Sequence, residues 1–93
     1  MTTNKSQWFV YVLRCADNSL YTGITTDVER RVKEHNSKTK SAAKYTRARQ
    51  PVEMVYHEQS DGRSGASRRE CVIKKLTKAK KEALINQPQQ SID

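Results

Sequence analysis

Residues 8–36, WFVYVLRCADNSLYTGITTDVERRVKEHN, constrain this chain more than any other stretch. Trp8 to Leu13 is an unbroken run of aromatic and aliphatic side chains, rich in β-branched residues, and reads as a strand through residue 14. Ala16-Asp17-Asn18-Ser19 supplies turn residues, because Asx side chains bond their own backbone and tolerate positive φ. Leu20 to Thr25 is a second strand, so the pair forms an antiparallel hairpin. Thr26 and Glu29 have the T-x-x-E spacing of a capping box, which opens a helix at Asp27 that ends near Lys38.

The remainder follows from the same signals. Lys38 to Arg49 forms a basic loop without an acidic residue, closed by Pro51. PVEMVYHE alternates as a third strand, with Val52, Met54 and Tyr56 on one side. Asp61-Gly62 breaks it, a long helix runs from about Ser64 to Leu76, and Thr77 caps a last helix, Lys78 to Ile85. The order ββαβαα, with few strands and a meander-like start, predicts an α+β domain. One domain over 8–86 is expected, between a flexible N-terminus, 1–7, and a flexible polar tail, 87–93.

Charge narrows the partner. The chain carries a net charge of +8 and a pI near 9.8 over 93 residues. Such an excess favours a polyanion, nucleic acid more often than a membrane surface. No apolar run approaches the roughly 20 residues that span a bilayer. MTTNKSQ has no apolar signal segment behind it, so a cytoplasmic monomer with no membrane association is expected. Cys15 and Cys71 lack CxxC spacing and read as reduced thiols; a zinc site built from them with His35 and His57 has the wrong ligand spacing.

Three positions resist explanation as core. Val28, Arg31, Val32 and His35 fall on one helical stripe that should face the sheet, yet two of the four are ionisable. Each alone reads as a snorkelling arginine or a satisfied histidine; together, on a helix entered from Tyr-Thr-Gly, they read as a site. In the long helix, Ala66, Glu70, Ile73 and Thr77 share a face, so Glu70 points along an apolar seam. It is either a structural ion pair or a metal-holding carboxylate. Tyr11 and Tyr21 share a face only if the loop between the strands has an odd residue count, as an Asp17-Asn18-Ser19 loop would give. Gly23, inside a strand, marks close backbone approach by ligand or packing. Most of the 18 Lys and Arg residues lie in 38–49 and 63–81, where Lys44, Arg47, Arg49 and Lys74 are candidates for nucleic-acid contact and Tyr45 could stack on a base or sugar.

This ordered set resembles the GIY-YIG nuclease superfamily, and closely its small stand-alone YhbQ-like branch. The first motif is Phe9-Val10-Tyr11 and the second Tyr21-Thr22-Gly23; Arg31 and His35 follow in DVERRVKEHN, AAKYTRARQPVEMVY matches the branch's next block, and Glu70 lies in SRRECVIKKL. Phe9 stands where the name-giving glycine would be. The similarity covers about residues 8 to 86. It implies a GIY-YIG-type domain with a small three-stranded antiparallel sheet flanked by helices, and hydrolysis of a DNA phosphodiester with a single divalent metal, Mg2+ or Mn2+, ligated by Glu70. Arg31 would clamp the scissile phosphate, Tyr11 would activate the attacking water, and Tyr21 and His35 would orient it or share its proton. Arg30 would be an exposed, tolerant neighbour. Duplex or branched DNA is the implied substrate, with a role in repair or turnover. Without room for a separate recognition domain, low sequence specificity is expected, with DNA structure or a partner protein supplying selectivity. The alternative is a nucleic-acid-binding module on the nuclease scaffold with no activity in isolation. A ribosome-associated basic protein would account for the charge but not for Arg31, His35 and Glu70.

Overall fold

The computed structural model describes residues 7–40 and 42–87. Its elements are β1 (Gln7–Arg14), β2 (Leu20–Thr25), α1 (Val28–His35), α2 (Lys44–Arg47), β3 (Glu53–Asp61), α3 (Gly62–Lys74) and α4 (Lys78–Ile85). The three strands form one antiparallel sheet in the order β2-β1-β3. This is the expected α+β order, with the single-turn α2 added inside the basic loop.

β1 is the central strand and is covered on both faces, which is why its sequence is a continuous apolar run rather than an alternation. Val10 and Val12 pack with Ala66 and Ile73 of α3, and Leu84 and Ile85 of α4 close that layer. Tyr11 and Leu13 point the other way, into a cluster with Cys15, Val52, Tyr21, Val32 of α1 and Met54. Ile73 has no exposed surface, so trimming it to alanine should cost about 2–5 kcal/mol. Arg14, at the end of β1, holds α4 with two bonds to the Glu82 carboxylate, 2.8 and 2.7 Å. That hydrogen-bonded pairing, reinforced by Lys78, draws the Glu82 carboxyl down to about 2.

The hairpin closes with an odd count, but one residue earlier than expected. The Cys15 amide donates to the Ser19 carbonyl and the Asn18 amide to the Cys15 carbonyl, with Asn18 at φ 70°. Ala16-Asp17-Asn18 is therefore the loop, a tight turn followed by a left-handed residue that asparagine tolerates. Leu13 pairs with Tyr21 and Tyr11 with Gly23, so both tyrosines share the α1 face of the sheet.

Several local details depart from the sequence reading. The N-cap of α1 is Asp27, whose Oδ1 accepts from the Arg30 amide at 3.1 Å, and not the Thr26/Glu29 box. Thr25 Oγ1 accepts from the Asp27 amide and fixes the backbone one residue later, so the aspartate takes the cap. α1 ends at His35 rather than near Lys38. In β3 a register shift pairs Val12 with Tyr56 but Leu13 with Met54, leaving Val55 as an extra residue. That bulge turns Met54 toward the α1 face and Tyr56 toward α3, so they do not share a side. β3 also runs on to Asp61, and Gly62, at φ 76°, makes the abrupt entry into α3. α3 stops at Lys74, and Thr77 caps α4 by accepting from the Lys80 amide instead of extending the α3 face.

Candidate active site

The site grows from the middle of β1. Tyr11 lies across the hairpin from Gly23, and a β-carbon on that glycine would stand 2.5 Å from the Tyr11 hydroxyl. The missing side chain is the space the phenol occupies. The hydroxyl reaches His35 Nε2 at 2.8 Å, at the last residue of α1. Tyr11 is 1% exposed and His35 fully buried. The other imidazole nitrogen, Nδ1, lies 2.7 Å from Thr46 Oγ1 on α2, which in turn donates to the Ala43 carbonyl at 3.1 Å.

Two amides hold the end of α1 in place. Asn36 donates to the Val52 carbonyl (3.0 Å) and accepts from the Val52 amide (2.7 Å), copying a strand pair with a side chain. Gln50 Nε2 donates to the His35 carbonyl at 2.8 Å and also to the Ser37 carbonyl. The position of His35 is thus fixed from the loop that follows it as well as from the helix.

Arg31 stands one turn before His35. Its guanidinium bonds Glu34 Oε1 at 2.8 Å, with 26% of its side chain exposed, and its charge acts on the Tyr11 phenol. Arg30 points outward, 58% exposed, with a longer 3.6 Å contact to Glu34. Burial pushes the Tyr11 phenol up to about 12, against the Arg31 hydrogen bond, with Tyr21 and Glu70 adding to the rise. Burial, and then the positive charge of Arg31, push His35 down to about 4 despite Glu34. At neutral pH the pair is a neutral phenol hydrogen-bonded to a neutral imidazole.

Tyr21 extends the cluster toward the surface. Its ring lies 5.1 Å from that of His35 and 6.5 Å from that of Tyr11, and stacks on Tyr45 at 5.8 Å. Arg49 covers the Tyr45 ring with its guanidinium carbon 3.9 Å from the centroid, and is tied to Asp17 at 3.1 Å. Tyr45 is 37% exposed, and Lys44 and Arg47 are exposed beside it. Glu70, on α3, is 23% exposed and forms an i,i+4 pair with Lys74 at 3.3 Å. Its charge is felt at Tyr11, which places it in the electrostatic neighbourhood of the phenol.

A family model described as the GIY-YIG catalytic domain matches residues 7–83. The chain belongs to the GIY-YIG family. Within it, the chain is similar to proteins named UPF0213. One from Desulfotalea psychrophila is 52% identical over 83 residues, covering 89% of this chain and 74% of its own. One from Natronomonas pharaonis is 57% identical over 77 residues, covering 83% and 88%. The solution NMR structure of a UPF0213 protein from Bacillus halodurans is similar at 44% identity and TM-score 0.54, over 85% of this chain and 82% of that one. An E. faecalis protein solved by NMR has 46% identity and TM-score 0.56, over 89% and 88%.

In this GIY-YIG domain the fold brings Tyr11, Tyr21, Gly23, Arg31 and His35 onto one face, with Tyr45, Lys44 and Arg47 at its rim. Glu70 and Lys74 lie on α3, whose Ala66 and Ile73 pack against the opposite face of the sheet, and of the two Glu70 acts on Tyr11 through its charge. Arg49 is engaged by Asp17 and Tyr45. Phe9, where the motif glycine would stand, packs edge-on against His57 at 6.2 Å. Asn86 is an exposed C-cap of α4. Cys15 is buried and Cys71 exposed, and no cluster of three or more His, Cys, Asp or Glu residues that could hold a metal occurs among the described residues. A lone carboxylate still fits a hard divalent ion that keeps most of its waters and takes further oxygens from a phosphate. No helix is long and apolar enough to cross a membrane among those residues.

Sequence reasoning missed Thr46, Asn36 and Gln50. Thr46 sits between Tyr45 and Arg47 in a stretch that reads as a basic loop, and only the fold puts its hydroxyl on His35. Asn36 and Gln50 are polar residues in polar surroundings, with no pattern to set them apart.

Proposed function

We propose that this protein is a metal-dependent DNA nuclease that hydrolyses phosphodiester bonds with low sequence specificity, in DNA repair or turnover. The observation that carries the reading is the Tyr11 hydroxyl, buried and bonded to the Nε2 of a neutral histidine whose helix also carries Arg31 one turn earlier. Arg31 binds the scissile phosphate, a role suited to its planar donors, and brings it to the phenol. Tyr11 takes a proton from the attacking water while passing its own to His35 Nε2. The phenol with a pKa of about 12 therefore never has to exist as a free phenolate. Tyr21 borders the same imidazole and orients the water. Glu70 would hold Mg2+ or Mn2+, which when bound neutralises phosphate charge and the leaving oxygen. Lys44, Tyr45, Arg47 and Lys74 offer charge and a ring to the strand, while Gly23 makes room for the Tyr11 phenol.

One observation favours a second reading. Tyr11 is nearly sealed from solvent, as befits a scaffold that binds nucleic acid without cutting it, or that cuts only with a partner protein. Cleavage of labelled duplex, flap, junction and single-stranded DNA with Mg2+, Mn2+ or EDTA separates the two. Wild type, Arg31→Ala and Glu70→Ala are compared, with binding measured on the same substrates. The nuclease reading expects metal-dependent cutting, lost in both variants while Glu70→Ala still binds. Wild-type-level cutting by Glu70→Ala would sink the site; binding without cutting by wild type would favour the second reading.

A further inference from the structure

The chain of bonds through His35 runs Tyr11 Oη to Nε2, Nδ1 to Thr46 Oγ1, and Thr46 Oγ1 to the Ala43 carbonyl, at 2.8, 2.7 and 3.1 Å. Its two inner partners are hydroxyls, and a hydroxyl can donate or accept. Distances around the ring alone therefore leave the tautomer open. The Ala43 end decides it.

At one end the Ala43 carbonyl can only accept. It already takes the Arg47 amide at 2.8 Å, and the Thr46 proton supplies its second bond. Thr46 Oγ1 then faces the ring with lone pairs, and Nδ1 must carry the hydrogen. A neutral ring protonated at Nδ1 has a bare Nε2, which accepts from the Tyr11 hydroxyl. The acceptor-only carbonyl thus gives the whole chain one direction. Thr46 has no exposed surface, so water is not there to take its place.

We propose that Thr46 is the positioning residue of this site, fixing the Nδ1–H tautomer of His35 and so leaving Nε2 bare to receive the Tyr11 proton. The proposal rests on the reading of Tyr11 and His35 as the proton-transfer pair. In the step itself the water O–H bond breaks as Tyr11 Oη gains that proton. The Tyr11 O–H bond breaks as Nε2 gains the other, and the hydroxide oxygen bonds phosphorus while the leaving oxygen departs with its electron pair. His35 ends as an imidazolium whose Nδ1–H remains bonded to Thr46 Oγ1. No redox partner is needed. The groups that face the ring are Tyr11 from β1, Tyr21 from β2, Arg31 and Glu34 from its own helix, and Thr46 from α2; Thr46 is the one on Nδ1, and it sets the tautomer without adding a charge.

The test uses the full chain labelled with 15N, with long-range 1H–15N correlation of the imidazoles at neutral pH and His57→Gln to assign His35. Wild type should show protonated Nδ1 and bare Nε2. Thr46→Ser keeps the hydroxyl and should keep that pattern and most of the activity. Thr46→Val, similar in shape but without the hydroxyl, should lose the single tautomer. It should also lose about 10²-fold in cleavage, in kcat rather than KM. An Nε2–H tautomer in wild type would overturn the proposal even if Thr46→Val failed to fold, as would an unchanged Nδ1–H pattern in a folded Thr46→Val. The tautomer is read without DNA or metal. A wild type that shows it and cuts nothing would therefore overturn the nuclease reading while leaving the structural role of Thr46 intact.

Discussion

The phenol of Tyr11 occupies the volume that a side chain at residue 23 would need. A β-carbon on Gly23 would lie 2.5 Å from the Tyr11 hydroxyl, 2.7 Å from Cζ and 3.1 Å from a ring-edge carbon. Contacts this short demand movement, and the phenol has little freedom to move. Its ring is rigid and buried, and its hydroxyl is bound to His35. Gly23 and Tyr11, taken from the two motifs twelve residues apart in sequence, are therefore one structural unit.

Gly23→Ala should accordingly displace the Tyr11 hydroxyl from His35. The expected cost is about 1–3 kcal/mol of stability from overpacking and at least about 10²-fold in cleavage from misplacing the proton-transfer group. A thermal melt alongside the cleavage assay checks both. A variant with wild-type activity would show that the position of the phenol is not critical.

Arg31 and Arg30 are adjacent in sequence and share Glu34, yet should behave differently. Arg31 reaches Tyr11, whereas Arg30 is mostly exposed and its contact with Glu34 is loose. Arg31→Ala should abolish cleavage, and Arg31→Lys should recover little because a point charge does not replace a fork of donors. Arg30→Ala should leave cleavage close to wild type and stability within about 0.5 kcal/mol. Parallel kinetics on the three variants test this contrast, and equal losses at 30 and 31 would break it.

Much of this arrangement was legible before the fold was known, and the reason is physical. Arg31 and His35 stood out because a helix period placed ionisable groups where a sheet-facing stripe calls for apolar ones. Glu70 stood out in the same way on α3. Strand order and helix positions followed from turn residues, caps and alternation. The details that stayed hidden depend on contacts between distant residues. The Val55 bulge responds to strand pairing, so alternation put Met54 and Tyr56 on one side when they lie on two. Asp27 and Thr26 are both plausible caps, and the choice was made by a bond from the Asp27 amide to Thr25. Thr46 is invisible locally, since its significance comes from an imidazole eleven residues earlier.

The basic rim should separate charge that binds DNA from charge that holds the fold. Lys44 and Arg47 are exposed beside Tyr45. Replacing either with alanine should weaken binding on all sequences alike and flatten the slope of log K against log salt by about 0.9 for each lost phosphate contact. Arg49→Ala should instead lose the Asp17 pair and the cover over Tyr45, costing about 1 kcal/mol of stability. Salt titrations of binding, paired with urea unfolding, distinguish the two classes. A Lys44→Ala slope equal to wild type would remove that residue from the interface.

His35 should also leave a signature in acid. Its folded pKa is about 4, against 6.5 for the unfolded side chain, so between those values the unfolded chain binds the extra proton. Stability therefore rises with pH through that window: it is complete above about 6.5 and is lost as pH falls to 4, by about 3 kcal/mol in total. Glu82 is shifted from 4.5 to about 2, and its contribution is present above 4.5 and lost below, in a window largely separate from that of His35. The interval from 4.5 to 6.5 thus reports mainly on the histidine. Urea unfolding at half-unit steps of pH should show the slope in wild type and a much flatter profile in His35→Gln, whatever the absolute stability of the variant. Equal slopes would mean that His35 is charged or solvated in the folded protein, and a charged imidazole could not accept the Tyr11 proton.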